Sequence, residues 1–191
     1  MNFITEKKIN LCGNKVNIVL FTKKHLYEPE YLSWLHDYET IKFLNLPEYH
    51  TPVSFEKVEQ YIKNMIESKN HIFCALHDYE NNRFIGTFKI GPIDWHAKNV
   101  NLGIMIGDKS FWGKGIAKEA FRLGIEFCFN ELKMHKITGG CMKPNLGMCK
   151  VFEGLGFELE GCFKEQDFLE GKFSDHLHFG LLRERYDLKK G

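Results

Sequence analysis

A loop that contains two glycines and precedes a helical pattern is the stretch whose residues best suit chemistry. The glycines stand at 113 and 115, and apolar residues then recur at helical spacing from 116 to 127. Glycine lets the backbone approach a ligand closely, and the free amide groups of a helix's first turn carry partial positive charge. The junction therefore predicts a binding site for a phosphate group.

Two common phosphate-binding motifs do not fit this loop. A P-loop has a lysine followed by serine or threonine after its last glycine, whereas Lys114 is followed by Gly115. The dinucleotide fingerprint has a third glycine or an alanine where Lys118 stands. The sequence thus disfavours nucleotide hydrolysis and dinucleotide binding.

The loop resembles the phosphate loop of the GNAT family, the GCN5-related N-acetyltransferases. That loop is written as Arg or Gln, two residues, Gly, one residue, then Gly or Ala. The segment 112–117 matches it at the last Gly and Ala, which are Gly115 and Ala117, with Trp112 where Arg or Gln is commonest. A second family signature, an Asn that opens a helix ending in Gly-Phe, is matched by Asn145 and by Gly156-Phe157. The resemblance extends over roughly residues 16–182.

The resemblance implies a binding site for acyl-coenzyme A, with acetyl as the default acyl group. In this family two parallel strands, here around 100–106 and 137–142, splay apart, and the pantetheine arm enters the gap between them. The cofactor contacts implied for this chain are Ile104, Met105, Ile106, Trp112, Gly113, Lys114, Gly115, Ile116, Ala117, Asn145, Cys149 and Phe152. No metal is expected.

The implied reaction is attack of an amine on the thioester carbonyl, which needs a neutral amine, an oxyanion donor and a proton for the leaving thiolate. A backbone amide near Met105 is the expected oxyanion donor. Many relatives carry a glutamate where Asn101 stands and a tyrosine where Phe152 stands, and neither replacement titrates. The candidate catalytic residues are therefore His96, Asp94, His50 and Asn101 itself.

The missing base favours an acceptor whose amine is less basic than lysine, whose pKa is about 10.4. An amino sugar linked to a nucleotide, as used in surface polysaccharide synthesis, has such an amine, and several segments resemble that branch of the family. The expected acceptor contacts are Tyr49, His50, Trp95, His176 and His178. Acetylation of a protein amino terminus, acetylation of a polyamine, and a noncatalytic coenzyme A-binding protein remain as alternatives.

Composition limits the remaining classes of function and of binding partner. A chain of 191 residues suits one domain, 1–191, and its 26 basic against 25 acidic residues do not indicate a nucleic-acid partner. No segment reaches the ~18 apolar residues of a membrane span, and the six dispersed cysteines suit reduced thiols. We expect a cytosolic protein without a membrane partner, with a sheet edge near the closing strands at which a homodimer could form.

The elements that must hold these residues form an α/β pattern, a mixed sheet of about seven strands with about four helices. Strands are predicted at 16–21, 71–77, 83–90, 100–106, 137–142, 157–163 and 173–182. Helices are predicted at 24–44 with a break near Pro29, from Ser54 to about 68, after 115, and at 146–155. The segments 45–52 and 91–98 are predicted as loops.

Overall fold

The protein forms one mixed sheet with helices on both faces. A computed structural model describes residues 9–44 and 53–188, in which there are eight strands and seven helices. The strands are β1 (Asn10–Cys12), β2 (Val16–Leu20), β3 (Ile72–Asp78), β4 (Phe84–Asp94), β5 (Asn99–Ile106), β6 (Lys136–Met142), β7 (Glu158–Leu169) and β8 (Lys172–Leu182). The helices are α1 (Lys23–Leu26), α2 (Pro29–Leu35), α3 (Tyr38–Ile41), α4 (Phe55–Glu67), α5 (Ile116–Asn130), α6 (Leu146–Leu155) and α7 (Arg183–Leu188).

The sheet order is β1-β2-β3-β4-β5-β6-β8-β7, and β5 and β6 are its one parallel pair among the described strands. Helix α5 makes the crossover between them, as parallel neighbours require. Their pairing begins at Asn99 and Lys136 and stops at Asn101 and Thr138. Both strands continue beyond that point, so they diverge. The splay predicted around 100–106 and 137–142 is confirmed.

Alternate side chains of the central strands enter two different cores. On one face, Val100 and Leu102 pack with α5 and α6 around the buried rings of Phe121 and Phe152. On the other face, Met105 packs with α2 and α4, in a cluster that includes Tyr31. We call these the α5 face and the α4 face.

Local signals fix three helix ends. The Ser54 hydroxyl accepts the Lys57 amide at 3.4 Å and caps α4. Asn145 caps α6, and Gly156 ends that helix in the left-handed conformation at φ +89°. These boundaries agree with the prediction from the sequence.

The structure corrects several element boundaries and both element counts. The edge strand β1 raises the sheet from about seven strands to eight, and the segment 24–44 forms three short helices. Only the second half of the predicted loop at 91–98 is a turn, because β4 shifts register between Ile90 and Ile93, pairs with β5 again and ends at Asp94. Strand β7 runs on to Leu169, and α7 was not predicted.

Neither a membrane span nor a metal-ligand cluster occurs in the described part of the chain. No helix within residues 9–44 and 53–188 combines the length and hydrophobicity of a transmembrane segment. In the same ranges, no group of three or more His, Cys, Asp or Glu side chains is arranged to hold a metal ion.

Candidate functional site

The gap between β5 and β6 is closed at one end by a pair of polar side chains. Asn101 Nδ2 donates to Thr138 Oγ1 at 3.3 Å, and Thr138 Oγ1 donates to the Val100 carbonyl at 3.4 Å. These residues belong to the last parallel pair. Beyond it, the facing edges of the two strands have backbone groups that a ligand can pair with. Asn101 thus lies where the gap begins, with its amide already engaged.

The glycine loop lies at the other end, after β5. Gly113 and Gly115 have φ of +71° and +79°, a left-handed conformation that glycine adopts without strain. Helix α5 begins directly after Gly115, and residues 112–115 are exposed. The free amides of the first helical turn are therefore available to an anion.

Lys15 adds a positive charge to this loop that sequence reasoning missed. From the turn between β1 and β2, its Nζ donates to the Lys114 carbonyl at 2.9 Å. The two residues are 99 positions apart, so no local pattern could connect them. The lysine both fixes the loop and strengthens its attraction for phosphate.

Trp112 connects the loop to the end of β5. Its indole Nε1–H donates to the Ile106 carbonyl at 2.9 Å. This bond therefore occupies one acceptor position of the Ile106 carbonyl. Ile106 is a residue predicted to contact the cofactor through its backbone. The geometry gives Trp112 a positioning role that the family's usual Arg or Gln at this place does not suggest.

Helix α6 lines the β6 side of the site. Asn145 Oδ1 accepts the Met148 amide at 3.1 Å, which leaves its Nδ2 as the group able to donate to a ligand. Cys149 follows one turn later, with its Sγ 3.6 Å from Cys141 Sγ. Phe152, predicted to contact the cofactor, is 1% exposed and stacks on Phe179 at 4.9 Å between ring centroids. We correct its role to core packing, because its ring is enclosed by apolar neighbours.

Two glycines face each other across the gap on the α4 face. Gly103 and Gly140 each stand two residues beyond the last parallel pair, Asn101 and Thr138. On β5, residue 103 alternates with the α5-face residues 102 and 104. On β6, a Cβ at 140 would meet the ring of His176 from β8. The missing side chain at Gly103 leaves a window through which a group on the α4 face can reach the gap, and the His176 ring covers Gly140 on the other side of that window.

A cavity of about 300 Å³ adjoins the β5 side of this window. Its lining is mainly apolar and aromatic, with two lysines and no acidic residue among the described positions. The lining residues are Tyr31, Leu35, Ile41, Leu44, Val53, Lys57, Val58, Tyr61, Phe73, Thr87, Lys89, Gly103, Ile104 and Met105.

Lys89 is the polar residue of this cavity closest to the window. It stands opposite Gly103 in the antiparallel pairing of β4 and β5, and its Cε lies 3.9 Å from where a Cβ on Gly103 would be. Burial lowers the pKa of Lys89. No ion pair or hydrogen bond joins its ammonium group to another of the described residues, so its charge is left for a ligand.

A second, smaller pocket lies on the β8 side of the window and contains both predicted strand histidines. It is lined by Phe163, Gln166, Asp167, His176 and His178. His176 Nδ1 lies 2.6 Å from Asp167 Oδ2, whose side chain is fully buried. Burial, and then the charge of His176, lower the pKa of His178. The structure thus brings His176 to Gly140 at the gap, with His178 beside it and with an aspartate that the sequence did not single out.

Three other predicted residues lie at the closed end of the gap. Asp94, the last residue of β4, accepts through Oδ1 the backbone amides of His96 and Ala97 at 2.9 and 2.8 Å, in the exposed turn that follows. Trp95 Nε1 donates to the Lys69 carbonyl at 3.2 Å. At about 3.3 Å per strand residue, this turn is about 20 Å from Met105. The structure does not bring these residues to the window, and Tyr49 and His50 lie outside the described residues.

Comparison with known proteins gives one consistent family. Residues 16–158 match the model of the acetyltransferase (GNAT) domain. The chain is 30% identical over 146 residues to the probable N-acetyltransferase YjcK of Bacillus subtilis, covering 76% of this chain and 80% of that one. It is 29% identical over 108 residues to the ribosomal protein uS5-alanine N-acetyltransferase of Escherichia coli, covering 55% and 54% of the two chains.

Among solved structures, the spermidine N-acetyltransferase of Vibrio cholerae in complex with CoA and spermine superposes with a TM-score of 0.80. The match covers 91% of this chain and 99% of that one, at 19% identity. At this identity the match establishes a shared fold.

Proposed function

The chain belongs to the GNAT family of N-acetyltransferases, and from this premise we propose that its acceptor is an amino sugar linked to a nucleotide. The coarser activity follows from the family: the protein is an N-acyltransferase that uses acyl-CoA, with acetyl-CoA as the family's usual donor. The cavity on the α4 face must select the acceptor.

The splayed strands and the glycine loop are the proposed acyl-CoA site. The pantetheine arm would pair with the backbone of Ile104, Met105 and Ile106 along the open edge of β5. The pyrophosphate would lie on the amides of residues 113–117, next to Lys15. The site has the features that this ligand needs, namely an unpaired strand edge about 15 Å long and an exposed helix N-terminus.

The charge of Lys89, which pairs with no other described residue, is the observation that supports the acceptor class. Lys57 also lines the cavity, and none of its described lining residues is acidic. A polycation such as a polyamine would bring like charges next to these lysines, which is unfavourable in a partly buried site. An amine attached to a diphosphate would instead place its anionic part against them.

A polyamine and a protein amino terminus are the competing acceptors. Both have support in the names of similar proteins, the spermidine enzyme and the uS5 enzyme. A polyamine site needs carboxylates to bind the distal amines. The described lining of the cavity supplies none, so the amino sugar nucleotide is favoured.

A panel assay tests this proposal. Release of the CoA thiol from acetyl-CoA would be measured with a nucleotide-linked amino sugar, the matching free amino sugar, spermidine and a peptide with a free amino terminus. We expect the highest kcat/KM with the nucleotide-linked sugar. Lys89→Met should lower that value by about 10- to 100-fold, because it removes a charged hydrogen-bond donor. The same substitution should change kcat/KM for the free amino sugar far less.

Lys63→Met is the matched control, because Lys63 is an exposed residue of α4 that does not line the cavity. Its kcat/KM should equal the wild-type value with every acceptor. A preference for spermidine that Lys89→Met leaves unchanged would contradict the proposal and favour a polyamine acceptor.

A further inference from the structure

We propose that His176 is the proton acceptor of acyl transfer and that Asp167 holds its ring in the required tautomer. The inference rests on the proposed function in one respect only, that the amine approaches the thioester from the α4 face. His176 supplies the base that Asn101 and Phe152 cannot provide, since neither of those two side chains titrates.

The contact with Asp167 fixes which nitrogen of His176 is free. Asp167 Oδ2 lies 2.6 Å from His176 Nδ1, so Nδ1–H donates to the carboxylate. Nε2 then keeps its lone pair and can accept a proton. The Asp167 side chain is fully buried, and its Oδ1 has no hydrogen-bond partner among the described residues. A buried carboxylate with one free oxygen is costly, and the hydrogen bond donated by Nδ1–H of the neutral His176 ring stabilises it.

The free nitrogen faces the window. His176 Nε2 lies 2.5 Å from where a Cβ on Gly140 would be, so any larger residue at 140 would displace the ring. Gly140 itself is exposed and lies on the part of β6 that does not pair with β5. The imidazole nitrogen is therefore at the wall of the gap, on the same side as the cavity that holds Lys89.

The charged groups around His176 are few. Asp167 faces it from β7, and His178 lies beside it on β8 with 4.9 Å between ring centroids. On β6 the nearest titratable group is Cys141, whose pKa is raised by burial, so that its thiol is neutral. Asp175, the preceding residue in the chain, is already paired with Lys143 and Lys164 at 3.1 Å each.

The proposed step conserves protons and electrons. The bound ammonium group gives a proton to His176 Nε2, and the neutral amine nitrogen forms a bond with the thioester carbon. The carbon–sulfur bond then breaks, and the sulfur leaves with the electron pair. The second amine proton goes to the thiolate, which yields the amide and the CoA thiol, and His176 returns its proton to solvent.

The test compares His176→Gln and Asp167→Asn with wild type in pH profiles of kcat/KM. The acceptor is whichever panel amine wild type turns over best, so an incorrect acceptor class would not affect the result. We expect His176→Gln to lose about 10²- to 10⁴-fold at neutral pH. Its activity should recover as pH rises toward the pKa of the acceptor amine, where solution already supplies the neutral form.

Asp167→Asn should lower kcat with little change in KM, because an asparagine does not enforce the Nδ1–H tautomer. Binding of CoA measured by calorimetry establishes that each variant is folded, and His176→Asn provides a second substitution if the glutamine variant does not fold. His135→Gln, at an exposed position before β6, is the matched control and should keep the wild-type profile. A loss in His176→Gln that is equal at every pH, or no loss, would overturn the proposal.

Discussion

Asn101 Nδ2 and Thr138 Oγ1 are 3.3 Å apart and join β5 to β6 at the last residue pair before the strands diverge. The bond lies at the position where many GNAT relatives have a glutamate. In this chain the position has a structural use, which is to set where the gap begins. The depth to which a ligand can enter between the strands therefore depends on this pair.

We predict that Asn101→Ala and Thr138→Val each lower the free energy of unfolding by about 1 kcal/mol, the usual net value of one hydrogen bond. The double variant should lose less than the sum, with a coupling energy of about 0.5–1.5 kcal/mol. Urea unfolding of the four proteins measures this. If the losses in the free energy of unfolding are additive, the hydrogen bond between the two side chains does not stabilise the protein.

Lys15 should contribute to the affinity for CoA through the phosphate groups. We predict that Lys15→Met raises the Kd for CoA by about 5- to 10-fold, because it removes one charge and the bond that holds the Lys114 carbonyl. The effect should shrink at high salt. Calorimetry with CoA and with pantetheine separates the causes, since pantetheine lacks the phosphates of CoA. Equal losses of affinity for CoA and for pantetheine would contradict an electrostatic role of Lys15. Lys63→Met is again the control.

Two hydrogen-bonded histidines, His25 and His77, should make stability depend on pH. The Thr22 amide donates to His25 Nδ1 at 2.9 Å, and His25 Nε2 lies 3.0 Å from His77 Nε2. His77 Nδ1 lies 3.0 Å from the Asn82 carbonyl, so it donates to that oxygen. His25 therefore donates to His77, and every nitrogen is used when both rings are neutral. A further proton on either ring would break one of these bonds.

Burial, followed by the charges of His77 and Lys24, lowers the pKa of His25 from 6.5 to about 4. The unfolded chain thus binds a proton more readily, and stability falls as pH decreases from about 6.5 toward 4. We predict a loss of about 3 kcal/mol from this group over that range. In His25→Phe, which keeps an aromatic ring beside Phe21, unfolding free energies measured by urea titration should depend less on pH. An unchanged slope would contradict the assignment.

Local signals were sufficient for much of the fold. The caps Ser54 and Asn145, and the helix stop at Gly156, define their boundaries through hydrogen bonds and backbone conformation within a few residues. The glycine loop and the crossover helix likewise indicated a parallel pair of strands. These elements could be predicted because the residues that determine them are neighbours in the sequence.

Long-range contacts account for what the sequence did not reveal. Lys15 reaches the glycine loop from 99 positions away, and Asp167 meets His176 only because β7 and β8 are paired. Asp94 and His96 are suitable catalytic residues by type, yet β4 pairs with β5 again after its register shift, which leaves both residues at the closed end of the gap. Residue type identified candidates, while strand pairing decided which of them meet.

The glycine window provides a final prediction. A Cβ at Gly103 would have Lys89 Cε at 3.9 Å as its nearest contact, so Gly103→Ala should fold and bind CoA as wild type does. Its methyl group would project into the path of the amine, and we expect kcat/KM for the acceptor to fall by about 10- to 100-fold. Gly154→Ala in α6, whose nearest contact would be Lys118 Nζ at 3.5 Å, should instead raise the free energy of unfolding by up to about 1 kcal/mol and leave activity unchanged. Steady-state kinetics and calorimetry on both variants separate access of the acceptor from general effects of adding a methyl group. Wild-type turnover by Gly103→Ala would place the path of the amine elsewhere.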